Sequence, residues 1–249
     1  MKAIFFDIDG TLVTHKDRQM PQSTLTALKL LRKRGIKVFI ATGRAHSAAM
    51  FMEEYFSFDG YVCNNGTIGV FQGKQILDIQ IPNESLEKMI EYVKQSRIQV
   101  SISTDKEVYY GGYPGVSYDG PYPVKPIETC LTERVYQVNF YEGPELDDEF
   151  LAHMPKSKSV RWNDRFADII SIEGGKEVGI RKVLELLEIP EEQIAVFGDG
   201  ENDLTMLQAF KYSFAMGNAN DIVKENANFV TDAITDDGIY NALKKMDII

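Results

Sequence analysis

The sequence predicts an α/β protein: a parallel-sheet core made of two stretches of chain, with a smaller α/β module inserted between them. Three observations carry that expectation. Short unbroken apolar runs alternate with amphipathic helical stretches at both ends of the chain. Each run is followed at once by glycine and by polar or charged residues. The middle of the chain breaks this alternation with hairpin-like and Gly/Pro-rich segments.

Residues 2–6 form the first apolar run, the pattern of a strand buried on both faces. Residues 23–35 then read as a helix. Ser23 is its expected N-cap, Leu25, Leu28 and Leu31 form the apolar stripe, cations fill the last turn and Gly35 ends it. Residues 36–41 are a second buried strand, 45–55 are helical, and 61–63 are a third strand. Strand, helix, strand, helix, strand implies parallel pairing through right-handed crossovers. Residues 67–81 predict a hairpin turning at Gln72–Lys74, and Pro82 and Asn83 open a helix over about 84–96. Strands are expected at 99–104, 134–141, 158–163 and 167–172, with a helix near 145–153. Residues 111–126, rich in Gly, Pro and Tyr, read as an irregular connection. The alternation then resumes with a helix at 177–188, a buried strand at 194–198 and a helix at 202–210. The resulting division is 1–81 for the first part of the core, 82–172 for the inserted module and 173–249 for the second part of the core.

Composition narrows the function. With 249 residues, 44% of them hydrophobic, the chain can hold one large domain or two modest ones. A net charge of −10 argues against a polyanionic partner such as nucleic acid or an anionic membrane. A small anion is not excluded, because local cations and backbone amides can outweigh a distant average. Two cysteines, Cys63 and Cys130, without paired-Cys spacing argue against a disulfide framework or a zinc site and fit a reduced cytoplasm. The N-terminal apolar run is too short for a signal sequence, and no stretch approaches the length of a membrane span.

In open parallel sheets ligands bind beyond the carboxyl ends of the strands. Those ends carry AspIleAspGlyThr (7–11), ThrGlyArg (42–44), AsnAsnGlyThr (64–67) and AspGlyGluAsnAsp (199–203). Adjacent carboxylates repel each other unless a cation sits among them. Asp7, Asp199 and Asp203 supply hard oxygens that suit Mg²⁺ better than a soft metal. Gly10, Gly43, Gly66 and Gly200 are expected to let the backbone approach a ligand closely.

Taken in order along the chain, these segments resemble the haloacid dehalogenase superfamily of phosphohydrolases. The closest likeness is to Cof-type sugar-phosphate phosphatases with an inserted α/β cap. AspIleAspGlyThrLeu (7–12), AlaThrGlyArg (41–44), Lys176 in GluGlyGlyLys, and GlyAspGlyGluAsnAspLeuThrMetLeu (198–207) carry the resemblance. It implies a Rossmann-like core under a cap, and hydrolysis of a small phosphate monoester through an aspartyl-phosphate. By that likeness Asp7 attacks phosphorus, and Asp9 protonates the leaving group and then activates water. Mg²⁺ is held by the Asp7 carboxylate, the Asp9 backbone carbonyl and Asp199, with Asp203 orienting the metal's surroundings. Thr42, Gly43, Lys176 and Asn202 bind the phosphoryl group, and Arg44 faces the substrate or the cap. The implied partner is a small phosphorylated metabolite met by a monomer or weak homodimer in the cytoplasm. Tyr109–Tyr122, Arg161 or Arg165 are expected to contribute to substrate choice, with hinges near Ile81–Asn83 and Ser171–Gly175.

Plainer readings stand beside these. Arg44 can simply pair with a carboxylate at the rim, and Asn64 and Asn65 can be plain turn formers. His15, His46 and His153 read as surface or satisfied residues. Phosphoryl transfer to another acceptor, as in a mutase, would use the same aspartyl-phosphate. A non-catalytic binding module would not need Asp7, Asp9, Lys176 and Asp199 together.

Overall fold

A computed structural model describes residues 1–249, and none of its helices is long and apolar enough to cross a membrane. The first stretch of chain gives β1 (Ala3–Phe6), α1 (Gln22–Lys33), β2 (Lys37–Ala41), α2 (His46–Ala49), β3 (Gly60–Cys63), β4 (Ile68–Phe71) and β5 (Lys74–Asp78). The middle gives α3 (Asn83–Ser96), β6 (Val100–Thr104), β7 (Val108–Gly112), β8 (Val124–Pro126), β9 (Val135–Phe140), α4 (Asp147–Ala152), β10 (Ser157–Asn163) and β11 (Phe166–Ser171). The last stretch gives α5 (Lys176–Leu187), β12 (Ile194–Gly198), α6 (Leu204–Ala209), β13 (Ser213–Ala215), α7 (Asp221–Glu225), β14 (Phe229–Val230) and α8 (Gly238–Lys245).

Two sheets result. The larger has eight strands in the order β14-β13-β12-β1-β2-β3-β4-β5, and the smaller has six in the order β10-β11-β9-β6-β7-β8. The larger is parallel from β14 to β3, and only the β4–β5 hairpin runs antiparallel. Its central strands are apolar on both faces because each face has its own core. Ile4, Phe6, Val38 and Ile40 point into one, and Ala3, Phe5, Phe39 and Ala41 into the other. This is the α/β architecture expected from the alternation of runs.

Register places the site. Phe6 is paired with Phe197 on one side and with Ile40 on the other, and Asp7 N donates to Phe197 O at 3.0 Å. The strands therefore end level, and Asp7, Thr42 and Asp199 leave the sheet side by side although far apart in sequence.

The smaller sheet is antiparallel except for the β7–β8 pair. It closes its own core, in which Leu86, Met89 and Val93 of α3 pack on Ile102, Val138, Phe140 and Ile169. The chain passes between the two sheets at residues 79–82 and again at 172–175. At the first crossing Ile79 N bonds Thr67 O at 2.9 Å and Ile81 N bonds Val135 O at 2.8 Å.

Two local expectations fail. Ser23 does not cap α1; Pro21 occupies the cap position with no side-chain bond, which suits proline's fixed φ at a helix start. The Gly/Pro/Tyr-rich segment is not wholly irregular, since β7 and β8 lie at its two ends. Gly111 and Gly112 hide the strand signal. They are small because neighbours crowd them: a Cβ on Gly111 would lie 2.9 Å from Ile127 Cγ1, and one on Gly112 2.6 Å from Val124 Cγ1.

Candidate active site

Asp7 follows the last residue of β1 and is buried. Lys176, the first residue of α5, sends its side chain beneath it. Lys176 Nζ donates to Asp7 Oδ1 at 2.8 Å and also to Asp203 Oδ1. Asp203 closes the short turn after β12, and its Oδ2 accepts from Asp199 N at 2.9 Å and Gly200 N at 3.0 Å. It thus ties the lysine to the turn that presents Asp199. Asp199 Oδ1 accepts from Thr11 Oγ1 at 2.9 Å, and its Oδ2 lies 3.3 Å from both His15 Nε2 and Asn218 Nδ2.

Carboxylate oxygens of Asp7, Asp199 and Asp203 lie within 4.8 Å of one another. Burial, the first cause, pushes the Asp7 carboxyl up to about 7, with Asp203 and Asp9 adding to it and Lys176 opposing. Burial also raises Asp199 and Asp203. Lys176 is raised as well: burial disfavours its charge, but Asp203 and Asp7 outweigh that cost. Three crowded carboxylates against one ammonium leave a surplus of negative charge. The donors are hard oxygens, so the residues present fit a hard divalent cation. Both oxygens of Asp203 are already engaged, whereas Asp7 uses only Oδ1 on Lys176.

Asp9 belongs to a second cluster. Arg44 grips its carboxylate with two bonds, Nε to Oδ2 at 2.6 Å and a terminal nitrogen to Oδ1 at 2.7 Å. Buried Thr42 positions that arginine, its Oγ1 accepting from Arg44 N at 3.2 Å. Gly10 has φ of 84°, and a Cβ there would lie 2.0 Å from Asp199 Oδ2. Gly66, at φ of 86°, would meet Gly175 O at 1.8 Å. Close approach of other protein atoms, the Asp199 carboxylate and the Gly175 carbonyl, thus requires these glycines.

A cavity of about 570 Å³ opens between the two sheets above Asp7 and Asp9. Thr42, Gly43, Arg44, Asp199 and Asn202 line its larger-sheet side. Lys176 and Asp203 do not line it; they lie buried under Asp7. From the smaller sheet come Gln137, Asn139, Trp162, Phe166 and Asp168, and from the loop before β8 comes Tyr122. Of the residues expected to read the substrate, Tyr122 reaches the cavity. Tyr109 is sealed in the module's own core, and neither Arg161 nor Arg165 lines the cavity. Arg161 is held by Asp147 at 2.9 Å and by the carbonyls of Glu142 and Asn163, both at 3.0 Å.

Sequence reasoning missed three features. His15 lies against Asp199, and the hydrogen bond to that carboxylate, its first cause, raises its pKa despite burial. Asp168, inside an apolar strand, is buried, and burial pushes it to about 6 although Asn65, Trp162 and Asn139 oppose. Asn64 and Asn65 are buried as well, and Asn65 bonds Gln137, Asp168 and Asn202. A usable signal was present for the last pair. Asn-Asn-Gly favours successive left-handed residues, and Asn64, Asn65 and Gly66 have φ of 47°, 51° and 86°. Cys63 and Cys130 are free and buried, which pushes both thiols up.

Comparison with known proteins agrees with this geometry. A model of the family described as haloacid dehalogenase-like hydrolase matches residues 4–243. The chain is 30% identical to the Bacillus subtilis (strain 168) protein named "Putative phosphatase YkrA", over all of this chain and 98% of that protein. It is 29% identical to the pyridoxal phosphate phosphatase YbhA of Escherichia coli (strain K12), over 96% of each. Among solved structures it matches the sugar phosphatase BT4131, described as subclass IIB of the same superfamily. That match has a TM-score of 0.91 and 30% identity over all of both chains.

Proposed function

The chain belongs to the haloacid dehalogenase-like hydrolases, and from that membership we propose that it hydrolyses a small phosphate monoester, a sugar phosphate or related metabolite, with Mg²⁺. One observation carries the reading: buried Asp7 stands at the cavity floor, its Oδ1 fixed by Lys176 Nζ at 2.8 Å, beside two further carboxylates.

The Asp7 carboxylate forms a bond to phosphorus as the ester bond breaks, and the leaving oxygen takes a proton from Asp9. Water then attacks the phosphorus of the aspartyl-phosphate and gives its proton to Asp9. Phosphate departs, and the Asp7 carboxylate is restored. Lys176, Thr42, Gly43 and Asn202 hold the phosphoryl oxygens or the residues that touch them. Arg44 must release an Asp9 oxygen before that oxygen can carry a proton. The anionic oxygens of an arriving substrate are the natural rival for the guanidinium. The Asp7 carboxylate, the Asp9 backbone carbonyl and Asp199 would hold Mg²⁺, with Asp203 bracing the cluster. Bound there, the ion would neutralise charge between the nucleophile and the phosphoryl group.

The module of residues 82–172 acts in this reading as the cap that excludes water and selects the leaving group. Tyr122, Trp162 and Phe166 offer ring faces for a sugar or aromatic ring, and Gln137 and Asn139 offer hydrogen bonds to hydroxyls. The test is a panel of phosphate esters, with and without Mg²⁺, on the wild type and on Asp7→Asn. The reading expects Mg²⁺-dependent release of free phosphate that Asp7→Asn abolishes. Metal-independent turnover or an active mutant overturns it, and a second phosphate ester as the main product would mean transfer instead.

A further inference from the structure

We propose that Asn65 is a positioning residue that couples seating of the cap to alignment of Asn202 at the phosphoryl site. This rests on the hydrolase reading above, which places Asn202 at the transferring group.

The side chain of Asn65 joins three segments, and each of its polar positions has a separate partner. Its Nδ2 donates to Asp168 Oδ2 on β11 at 2.8 Å and to Gln137 Oε1 on β9 at 3.1 Å. Its Oδ1 accepts from Asn202 Nδ2 at 3.3 Å, in the turn between β12 and α6. Asn65 is 1% exposed. Its backbone is anchored to the larger sheet, with Asn65 N donating to Thr42 O at 3.0 Å. Two bonds thus reach up into the cap and one reaches across to the phosphoryl side, all from one planar group. Neighbouring Asn64 adds a second contact of the same kind, accepting from Ser103 Oγ on β6 at 3.3 Å.

Asp168 supplies the energetic reason for the coupling. It is 3% exposed. Asn139 Nδ2 donates to its Oδ1 from within the cap, where Trp162 also favours its charge, but the bond to its Oδ2 comes from Asn65, outside the cap. A buried carboxylate short of a donor is costly, whereas one exposed to water is not. Seating the cap is therefore favourable only when the Asn65 amide is turned towards Asp168. That same orientation points its carbonyl at Asn202. Lifting the cap hydrates Asp168, frees the amide to rotate and removes the brace on Asn202.

Gly43 fits the same geometry. A Cβ there would lie 3.1 Å from Asn65 Oδ1 and 3.2 Å from Asp168 Oδ2. Its backbone is not left-handed, so the need for glycine comes from clearance under this contact. Asn202 and Thr42, which flank the contact, both belong to the phosphoryl-facing wall of the cavity.

A charge-swapped pair of substitutions in the full chain separates positioning from simple packing. Asn65→Asp keeps the shape but sets one carboxylate against another. Asp168→Asn in the same chain restores the bond with its direction reversed, and Gln137 can turn its amide to donate. Turnover of p-nitrophenyl phosphate in Mg²⁺ buffer gives kcat and KM. Hydrogen–deuterium exchange of residues 79–82 and 172–175 reports how often the cap lifts. Asn65→Asp is expected to lower kcat by about tenfold or more, with faster exchange at both crossings and a smaller change in KM. The double variant is expected to regain most of the kcat and the slow exchange. Asp168→Asn alone leaves one oxygen for two donors, so either Asn65 or Asn139 faces an NH₂ group; it is expected to move in the same direction as Asn65→Asp, and it serves if that single variant does not fold. A double variant no better than the singles overturns the proposal, as does a single variant with wild-type kcat and exchange. If the wild type turns over neither p-nitrophenyl phosphate nor any ester of the panel above, the hydrolase reading is what fails, and the exchange arm still decides whether the swapped pair governs the cap.

Discussion

The larger sheet holds buried charge in fixed pairings at the cavity floor and beneath it: Asp7 on Lys176, Asp203 on Lys176, Asp199 on Thr11. Where the smaller sheet meets the cavity, the lining is mostly aromatic rings and neutral amides, with Asp168 as its one carboxylate. The first surface can stabilise charge that develops on a phosphoryl group whatever it is attached to. The second can recognise rings and hydroxyls but offers no comparable charge. The proposed function assigns chemistry to the first surface and choice to the second, and substitutions should show the division. Changes in the larger sheet should lower rates on all substrates alike. Changes in the cavity-facing rings of the smaller should reorder the substrates.

The largest effect is expected at Asp7. Asp7→Asn should lower phosphate release from every ester by at least about 10³-fold without altering their ranking, read by steady-state assay. A variant that kept its rate on some esters would break the division.

Lys176→Met comes next. It leaves Asp7 and Asp203 buried without their cation, so unfolding in urea should show a loss of about 3–5 kcal/mol, with activity lost too. A variant as stable as the wild type would mean that the two carboxylates are accommodated in some other way.

The cap side should respond differently. Trp162 is 40% exposed at the cavity mouth. Trp162→Ala should change kcat/KM by up to about tenfold for esters with a bulky leaving group and leave methyl phosphate nearly unchanged. Equal losses on all esters would assign Trp162 to the chemistry.

The smallest effect concerns pH and metal. Burial raises Asp7 to about 7 from an ordinary 3.8, and raises Asp199 and Asp203 in the same direction. The metal-free folded protein therefore holds protons there that the unfolded chain has lost. That contribution to stability is full below the unfolded values and is lost as pH rises through about 7 for Asp7. Mg²⁺ needs the deprotonated forms. It should accordingly raise the melting temperature by a few degrees more above that pH than below it, read by calorimetry. A shift independent of pH would place the ion elsewhere.

The same division explains what could be read from the sequence. The larger sheet was legible because its strands are buried on both faces and read as unbroken apolar runs. The proposed site residues Asp7, Thr42 and Asp199 sit immediately after them. Lys176 was legible only through its place in a series, since nothing local marks a lysine as buried. The smaller sheet was harder. β7 contains Gly111 and Gly112, which read as turn residues until the crowding of Val124 is seen. Asp168 lies in an apolar strand, and its partners Asn65 and Asn139 lie 103 and 29 residues away, a tertiary fact no window contains. Arg161 and Tyr109 looked like substrate readers because of their residue types. Arg161 is instead tied to Asp147 and two carbonyls, and Tyr109 is packed in the module's core.

The claim beneath these expectations is that Asp7 itself becomes covalently bound to phosphorus. Quenching the enzyme in borohydride during turnover, followed by peptide mapping, tests it most directly, because reduction of an aspartyl-phosphate yields homoserine. The account predicts homoserine at position 7, absent when substrate is withheld. Homoserine at another aspartate, or an unmodified chain, would contradict it.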